Sequence, residues 1–349
     1  MPPKTRSKGG GGDAAKSPKD KVTAYQFGIV RERALMKNEE HPVYNWILLA
    51  AFAAVAFFPF FNLEYRRLAM EYMQIAEGAK FGYNWFSLLD FSGSTLVCYN
   101  YRKAVEKGIR EKDERLSYLH STPLSHYAIG IVTCLYSQFG GTTMTAIFLG
   151  ENASWTAGDH VWGAFLLAWW LTFSSPFDMW YTMMDSAALR GPLQALACVS
   201  AAHAVTSWGL EKALKAAHSR MANSACAALV CGYLSGCFGW VVVGFFETMG
   251  ERVKTMGPSW TMQRTFYAVI FYYVVTNPHG KLTPAKDLVG LGDMSKELAQ
   301  ALLASCFLTL QFGIDVVGID LLKLLKPLVF VTSKLVAPIN MQLAQIKEE

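Results

Sequence analysis

The basic residues of this chain all fall in the connections between about eight apolar segments. The segments lie near Tyr44–Asn62, Asn84–Tyr101, Pro123–Leu149, Val161–Tyr181, Pro192–Trp208, Ala222–Glu247, Thr265–Thr276 and Leu298–Gly318. Several reach the roughly 20 residues that cross a hydrocarbon layer about 30 Å thick. With 52% hydrophobic and only 17% charged residues, the 349-residue chain is too apolar for an ordinary soluble domain. The pattern predicts an all-α polytopic membrane protein.

The distribution of Lys and Arg predicts how the chain is oriented in the bilayer. The connections alternate between two sides, and 23 of the 32 basic residues fall on the side that also holds both termini. Because basic loops are retained on the cytosolic side, both termini are predicted to be cytosolic. The net charge of +5 follows from this asymmetry and favours contact with anionic lipid headgroups. No basic stripe indicates nucleic acid.

The chain divides into four predicted regions. Residues 1–43 form a basic tail rich in Gly and Pro, which is expected to be disordered. Residues 44–62 form an extra N-terminal transmembrane helix, and residues 84–318 form the main membrane domain. Residues 319–349 form a cytosolic C-terminal segment.

The membrane domain contains a predicted internal repeat. Segments Leu135–Glu151 and Cys231–Glu247 each place a glycine, Gly140 or Gly236, eleven residues before a glutamate. Each unit has three spans, about 84–181 and 192–278, and an odd number of crossings reverses the second unit. The sequence therefore predicts two inverted three-helix repeats followed by a seventh helix, 298–318. Inverted repeats build a permeation path or a binding site near the midplane.

The candidate functional residues are small or ionisable groups inside or at the ends of spans. Paired glycines allow a helix to bend along an ion path. The alternative is that they only let a neighbouring helix pack closely against the backbone. A carboxylate costs at least about 2.5 kcal/mol inside a span unless it is paired or faces water. Asp90 therefore either faces a cation path or bonds to a neighbouring helix. The pore candidates are Gly140, Gly141, Gly236, Gly239 and Asp90, and the helix-end candidates are Pro176, Asp178 and Pro278.

Four segments in order resemble the family of trimeric intracellular cation channels. They are FSLLDFSG at Phe86–Gly93, FGGTTMTAIFLGE at Phe139–Glu151, SSPFDMWY at Ser174–Tyr181 and SGCFGWVVVGFFE at Ser235–Glu247. The resemblance covers about 230 residues and implies a seven-helix core in a homotrimer with one pore per protomer. It also implies potassium conduction, with sodium as a second permeant ion, in the endoplasmic reticulum or another intracellular membrane. Such a current would balance charge during calcium release.

The chain departs from this family in two places. The span at Tyr44–Asn62 precedes the family core. The family's Lys-Glu-Val motif, with a following Arg, falls on Ala201, Ala202 and Val205, so phosphoinositide gating by that route is not expected. His203 and Lys212 are the remaining candidates for lipid contact in this region.

Other classes of function are less well supported by the residues. No two histidines stand three to five residues apart, and no cysteine pair has zinc-site spacing, so neither an enzyme, a metal site nor a cofactor is predicted. A secondary transporter remains an alternative, because inverted repeats are equally typical of transporters. A scaffold subunit of a larger membrane complex is the third alternative.

Overall fold

The computed structural model describes residues 42–77, 86–110, 123–156, 158–239, 260–280, 282–283 and 294–323, which include no strand. The predicted all-α class is confirmed for this part of the chain. Nearly all of the predicted 1–43 tail lies outside the described residues. So do Glu247 and the C-terminal segment beyond residue 323.

The described residues contain ten main helices. In chain order they are α1 Pro42–Phe57, α2 Leu63–Glu77, α3 Leu88–Arg110, α4 Pro123–Leu149, α5 Asp159–Ser174, α6 Met179–Met184, α7 Ala187–Val205, α8 Ala225–Gly239, α9 Trp260–Thr276 and α10 Lys296–Phe312. Two of them continue into π turns, α7 through Thr206–Leu210 and α10 through Gly313–Val317. A further turn of α-helix, Glu211–Leu214, completes α7.

The helix ends follow local sequence signals. Pro42 and Pro123 open α1 and α4, where the missing N–H of proline costs nothing. Helix α4 stops at Gly150, whose φ of 70° belongs to the left-handed region. The N–H of Gly150 bonds to Ile147 and that of Glu151 to Ala146, so α4 ends in a Schellman motif.

The helices pack as two groups that meet along α3 and α7. Helix α3 lies against α4, α5 and α7, whereas α10 packs on α7, α9, α1 and α2. The first group is held by apolar clusters around Phe165 and Tyr99. The second is held by a larger cluster around Tyr272 and Phe307. The division into two inverted repeats stays a prediction.

Two stretches in the described part of the chain are long and apolar enough to cross a membrane, Val43–Phe61 and Lys296–Val317. The other predicted spans are shorter or more polar: α5 has 16 residues and α9 has 17. Half of the stretch at Lys296–Val317 is buried inside the protein, which is also typical of core helices in soluble proteins. The eight-span topology therefore stays a prediction.

The N-terminal region contains one helix that the sequence analysis left as a connection. Helix α2 buries Met73 and exposes Arg67, and it also exposes Leu63, Tyr65 and Leu68. Helix α1, predicted as the extra span, packs on α10 through Phe52, whose ring stacks on Phe312 at 3.8 Å between centroids.

Candidate functional site

Helices α4 and α8 cross so closely that their backbones are in contact. A Cβ atom built on Gly141 would lie 2.2 Å from the carbonyl oxygen of Ser235, and one on Gly239 would lie 2.6 Å from that of Ser137. The two contacts are reciprocal, since each glycine follows its own helix's serine by four residues. Residue 137 meets 239 while 141 meets 235, so the helices run antiparallel. We call this contact the glycine crossing.

A hydrogen bond extends the glycine crossing by one helical turn. The Thr145 hydroxyl donates to the carbonyl oxygen of Cys231 at 3.1 Å, and both residues are buried. Side-chain hydroxyls in apolar surroundings commonly bond to backbone carbonyls of a neighbouring helix in this way. The bond fixes the register of α4 against α8.

The other two candidate glycines lie beside the same crossing. A Cβ on Gly140 would lie 3.0 Å from the Cα of Gly239, and one on Gly236 would lie 2.6 Å from methyl carbons of Thr265 and Val205. Helix α4 runs without interruption through Gly140 and Gly141. The structure thus brings all four glycines together and gives each a packing contact. Their role along an ion path stays a prediction.

Asp90 occupies the first turn of α3. Its N–H bonds to the Ser87 hydroxyl at 3.3 Å, and that hydroxyl also interacts with the Asp90 carboxylate. A serine followed three residues later by an acid is a helix-start signal of the capping-box type, which the sequence analysis missed. His160, in the first turn of α5, is an ionisable neighbour of Asp90. Asp90 thus lies at the start of α3, at the end opposite to Arg102, and its role along an ion path stays a prediction.

Arg102, near the end of α3, holds the link that follows α5. Its guanidinium donates to both carboxylate oxygens of Asp178, at 2.9 and 2.8 Å, and to the carbonyl of Thr172 at 2.6 Å. It also pairs with Glu106 at 2.9 Å and lies over the ring of Tyr181 at 4.1 Å. One side chain thus ties α3 to both the last turn of α5 and the segment beyond it.

The link itself has an unusual backbone. Pro176 opens a 3₁₀ turn in which Phe177 and Asp178 are both left-handed, with φ of 56° and 53°. Two such non-glycine residues in succession cost of order 1 to 3 kcal/mol each and persist only where neighbours hold them. The bidentate bond from Arg102 supplies that restraint at Asp178. Phe177 is fully exposed, at 102%.

The second helix-end candidate, Pro278, lies in a similar link after α9. Asn277 precedes it with a φ of 44°. The Asn277 side chain accepts from the N–H of Leu282 and donates to the Thr283 hydroxyl, each at 3.0 Å. A polar side chain thus stabilises the left-handed residue here, as Arg102 does in the first link. Asparagine tolerates this conformation better than most residues.

Asp185 forms a second ionic contact with α3. It accepts hydrogen bonds from the hydroxyl of Tyr99 and from the ammonium of Lys103, the latter at 2.9 Å. The Tyr99 bond, followed by the contribution of Lys103, lowers the pKa of Asp185 below its ordinary 3.8. The carboxylate form is therefore favoured by the folded protein.

A pH prediction follows for Asp185. Because its pKa is lowered on folding, its contribution to stability is complete above the unfolded value of 3.8 and is lost as the pH falls through the folded value. We expect Asp185→Asn to lower the unfolding temperature at neutral pH and to leave it nearly unchanged when the pH is below the folded pKa of Asp185. Thermal unfolding of both proteins over a pH series measures the difference. An equal gap between them at every pH would contradict the prediction.

The two candidates for lipid contact lie on α7 and its continuation. Lys212 forms an ion pair with Glu151 at 3.0 Å, which joins the end of α7 to the end of α4. His203 is completely buried and lies 3.5 Å from the Ser207 hydroxyl through Nδ1. Lys212 and His203 thus contact different residues and do not form one site. Their assignment to lipid remains a prediction.

Arg264 lies within a helix, although the sequence predicts it in the connection that precedes Thr265. Helix α9 begins at Trp260, so Arg264 lies in its second turn. Its guanidinium lies 4.3 Å from the ring centre of Phe307 and 4.9 Å from that of Trp260. The helix begins five residues before the predicted start at Thr265, because Met262, Gln263 and Arg264 are good helix formers although two of them are polar. The predicted start of this segment at Thr265 is therefore corrected to Trp260, and the prediction that no basic residue lies inside a span stays a prediction.

In the part of the chain that the structure describes, no three His, Cys, Asp or Glu side chains converge on a metal-sized site. What the described arrangement provides is a close helix crossing between two helical groups, with ionic contacts near the helix ends. Such an arrangement is suited to holding two helical units in a defined relation.

No protein-family profile matches the chain, and no curated protein matches it. Three solved structures are similar to it in fold. A trimeric intracellular cation channel from C. elegans in the absence of Ca²⁺ is 16% identical with a TM-score of 0.45, over 68% of this chain and 94% of that one. A trimeric intracellular cation channel from C. elegans with bound Ca²⁺ is 17% identical with a TM-score of 0.46, over 70% of this chain and 97% of that one. A structure of a TRIC counter-ion channel that is active in calcium release is 14% identical with a TM-score of 0.49, over 70% of this chain and 99% of that one.

Proposed function

We propose that this protein is a monovalent cation channel of an intracellular membrane. The observation that carries the proposal is the glycine crossing, a reciprocal antiparallel contact between α4 and α8, which are the middle helices of the two proposed repeats. An inverted repeat produces such a contact, and inverted repeats place a permeation path at their interface. The potassium ion is the proposed main permeant species, and its flux would balance charge during calcium release.

The reciprocal contacts also refine the proposed repeat. In the sequence, Gly140 corresponds to Gly236 because each stands eleven residues before a glutamate. The contacts instead match Gly141 with Gly239, and Ser137 with Ser235, because each pair exchanges places across the crossing. In this register α3, α4 and α5 correspond to α7, α8 and α9, and α10 is the additional seventh helix.

Spanning of the bilayer is part of the proposal. Helix α1 exposes Val43, Ile47 and Val55, and α5 exposes Leu166 and Trp170, although these helices are apolar. Exposed apolar surface of this extent suits lipid rather than water. We propose eight spans with both termini in the cytosol. Lipid is then a partner of the outer faces, and a homotrimer is the proposed assembly, either alone or in a larger membrane complex.

The connection after α4 tests this topology. Asn152, Ala153 and Ser154 form an acceptor for N-glycosylation, and Asn152 is exposed. We expect the chain to be glycosylated at Asn152 when it is made in microsomes, since this connection carries no Lys or Arg and is assigned to the lumen. Removal of a single glycan by endoglycosidase, and its absence in Asn152→Gln, would be measured by gel shift. An unglycosylated chain whose N-terminal tail is protected from added protease would contradict the topology.

Electrical recording tests the function itself. We expect the purified protein to give unitary currents in planar bilayers, with a reversal potential under a KCl gradient that indicates cation selectivity. Without a TVGYG-like filter, sodium should permeate within about an order of magnitude of potassium. If Asp90 faces the path, Asp90→Asn lowers the preference for cations over anions, whereas a purely structural Asp90 changes only stability. An anion-selective wild type would refute the channel proposal.

The unitary current also separates the proposal from its main alternative. A secondary transporter shares the inverted repeat, but its turnover is too slow to give resolvable single-molecule currents. Flux of substrate without unitary events would favour a transporter. A protein without any flux that always copurifies with other chains would favour a scaffold subunit.

A further inference from the structure

Two polar contacts cross between the end of α7 and the start of α10. The Gln300 amide donates to the Ser207 hydroxyl at 2.7 Å, and the Lys296 ammonium approaches the Glu211 carboxylate at 3.4 Å. Lys296 and Gln300 are four residues apart on α10, and Ser207 and Glu211 are four apart on the continuation of α7. The two contacts therefore form successive steps between the same two helices.

Solvent exposure falls sharply along these steps. The Lys296 side chain is 53% exposed, whereas that of Glu211 is only 3% exposed. At the inner end, Gln300 and His203 are 1% and 0% exposed. The polar groups thus lead from the surface at Lys296 into the protein interior, and they end at His203.

The inner end holds two polar atoms without a protein partner, His203 Nε2 and Gln300 Oε1. The Ser207 hydroxyl accepts from Gln300, so its own proton is free to be donated towards His203 Nδ1 at 3.5 Å. With Nδ1 as acceptor, the neutral imidazole carries its proton on Nε2. The unpartnered atoms are therefore one donor and one acceptor.

Leaving both atoms bare would be costly. A buried donor or acceptor without a partner costs about 1 to 3 kcal/mol. The π turn at Thr206–Leu210 begins in the middle of this group and contains Ser207. π turns break the regular packing of a helix and frequently occur at functional sites.

We propose that a water molecule bridges His203 Nε2 and Gln300 Oε1, and that it exchanges with solvent through the Lys296 end of the α7–α10 interface. Water satisfies both atoms because it donates and accepts at once. A bare cation is opposed by the N–H of His203, and an anion is opposed by the Gln300 oxygen. This hydrated site is separate from the glycine crossing and does not depend on the proposed channel function.

Radiolytic hydroxyl labelling with mass spectrometry tests the site on the intact wild-type protein. Hydroxyl radicals generated from a bound water oxidise adjacent side chains even where bulk solvent is absent. After correction for intrinsic reactivity, we expect His203 to be labelled at least about tenfold faster than Phe165, which is equally buried in an apolar cluster. Equal protection of His203 and Phe165 would overturn the proposal.

A substitution supplies a second, independent measurement. If the site were dry, His203→Leu, which adds less volume than Phe, would remove an unpaired polar atom and raise the unfolding temperature. If water bridges the site, the same change removes a hydrogen-bond partner and should lower that temperature by about 2 to 4 °C. His218→Leu at an exposed histidine is the control for the loss of an imidazole. A rise in the unfolding temperature of His203→Leu, or no shift beyond that of the control, would overturn the bridge.

Discussion

Replacing Gly141 with alanine is expected to destabilise the protein more than any other single methyl addition at the glycine crossing. The new Cβ would lie 2.2 Å from the carbonyl oxygen of Ser235 and 2.8 Å from that of Leu234. Both are backbone atoms of α8, so no side-chain rotation can relieve the overlap and the two helices must separate. Overpacking of this kind costs about 3 kcal/mol or more. The measurement is the unfolding temperature and the yield of folded protein in detergent.

Three other glycines provide graded controls for this prediction. Gly140→Ala should be milder, because its Cβ would lie 3.0 Å from the Cα of Gly239. Gly93→Ala should be nearly neutral, since the crowding atoms belong to the flexible end of the Gln138 side chain. Gly239→Ala, whose Cβ would lie 2.6 Å from the Ser137 carbonyl oxygen, should fall between Gly140→Ala and Gly141→Ala. Equal stability of the Gly141 and Gly93 variants would show that the backbones do not touch as described.

Replacing Arg102 with methionine is expected to produce the second large effect. The change removes two bonds to Asp178, one to the Thr172 carbonyl and one to Glu106, while it keeps much of the side-chain volume. It also frees a link in which two left-handed residues are held in place. We expect a loss of about 2 kcal/mol, within the range for hydrogen bonds to charged groups. The free energy of unfolding and proteolytic cleavage near Phe177 would both be measured.

The control for Arg102 is an arginine whose ion pair lies in solvent. Arg67 pairs with Glu71 at 2.9 Å on α2, but their side chains are 79% and 48% exposed. Exposed pairs contribute about 0 to 1 kcal/mol, so Arg67→Met should have little effect. If the two variants lost equal stability, the contacts of Arg102 would have no special role in the link.

The sequence predicts the helices better than it predicts their ends. Apolar periodicity and length identify the helical class and the location of α4, whose predicted bounds Pro123–Leu149 are those observed. Helix α5 was predicted to continue to Tyr181, but it ends at Ser174. The proline at 176 indicated a break, yet the left-handed pair after it depends on Arg102, which is over 70 residues away. Such long-range restraint leaves no local signal.

The candidate site shows the same division between local and tertiary information. The glycines at 140, 141, 236 and 239 could be selected from their spacing, and the structure brings them together. Their pairing across the crossing could not be read, because two plausible registers differ by only two residues. The partner of Asp90 was readable, since Ser87 stands three residues before it. Arg264 was misplaced because a single charge near a helix start looks like a loop residue in a sequence.

The glycine crossing has a mechanical consequence. Where helices meet through interlocked side chains, turning one against the other forces each side chain over a rotamer barrier. At Gly141 and Gly239 the surfaces that meet are bare backbone, so a change of crossing angle meets no such barrier there. The crossing therefore provides a point about which α4 and α8 can change their angle while their backbones stay in contact.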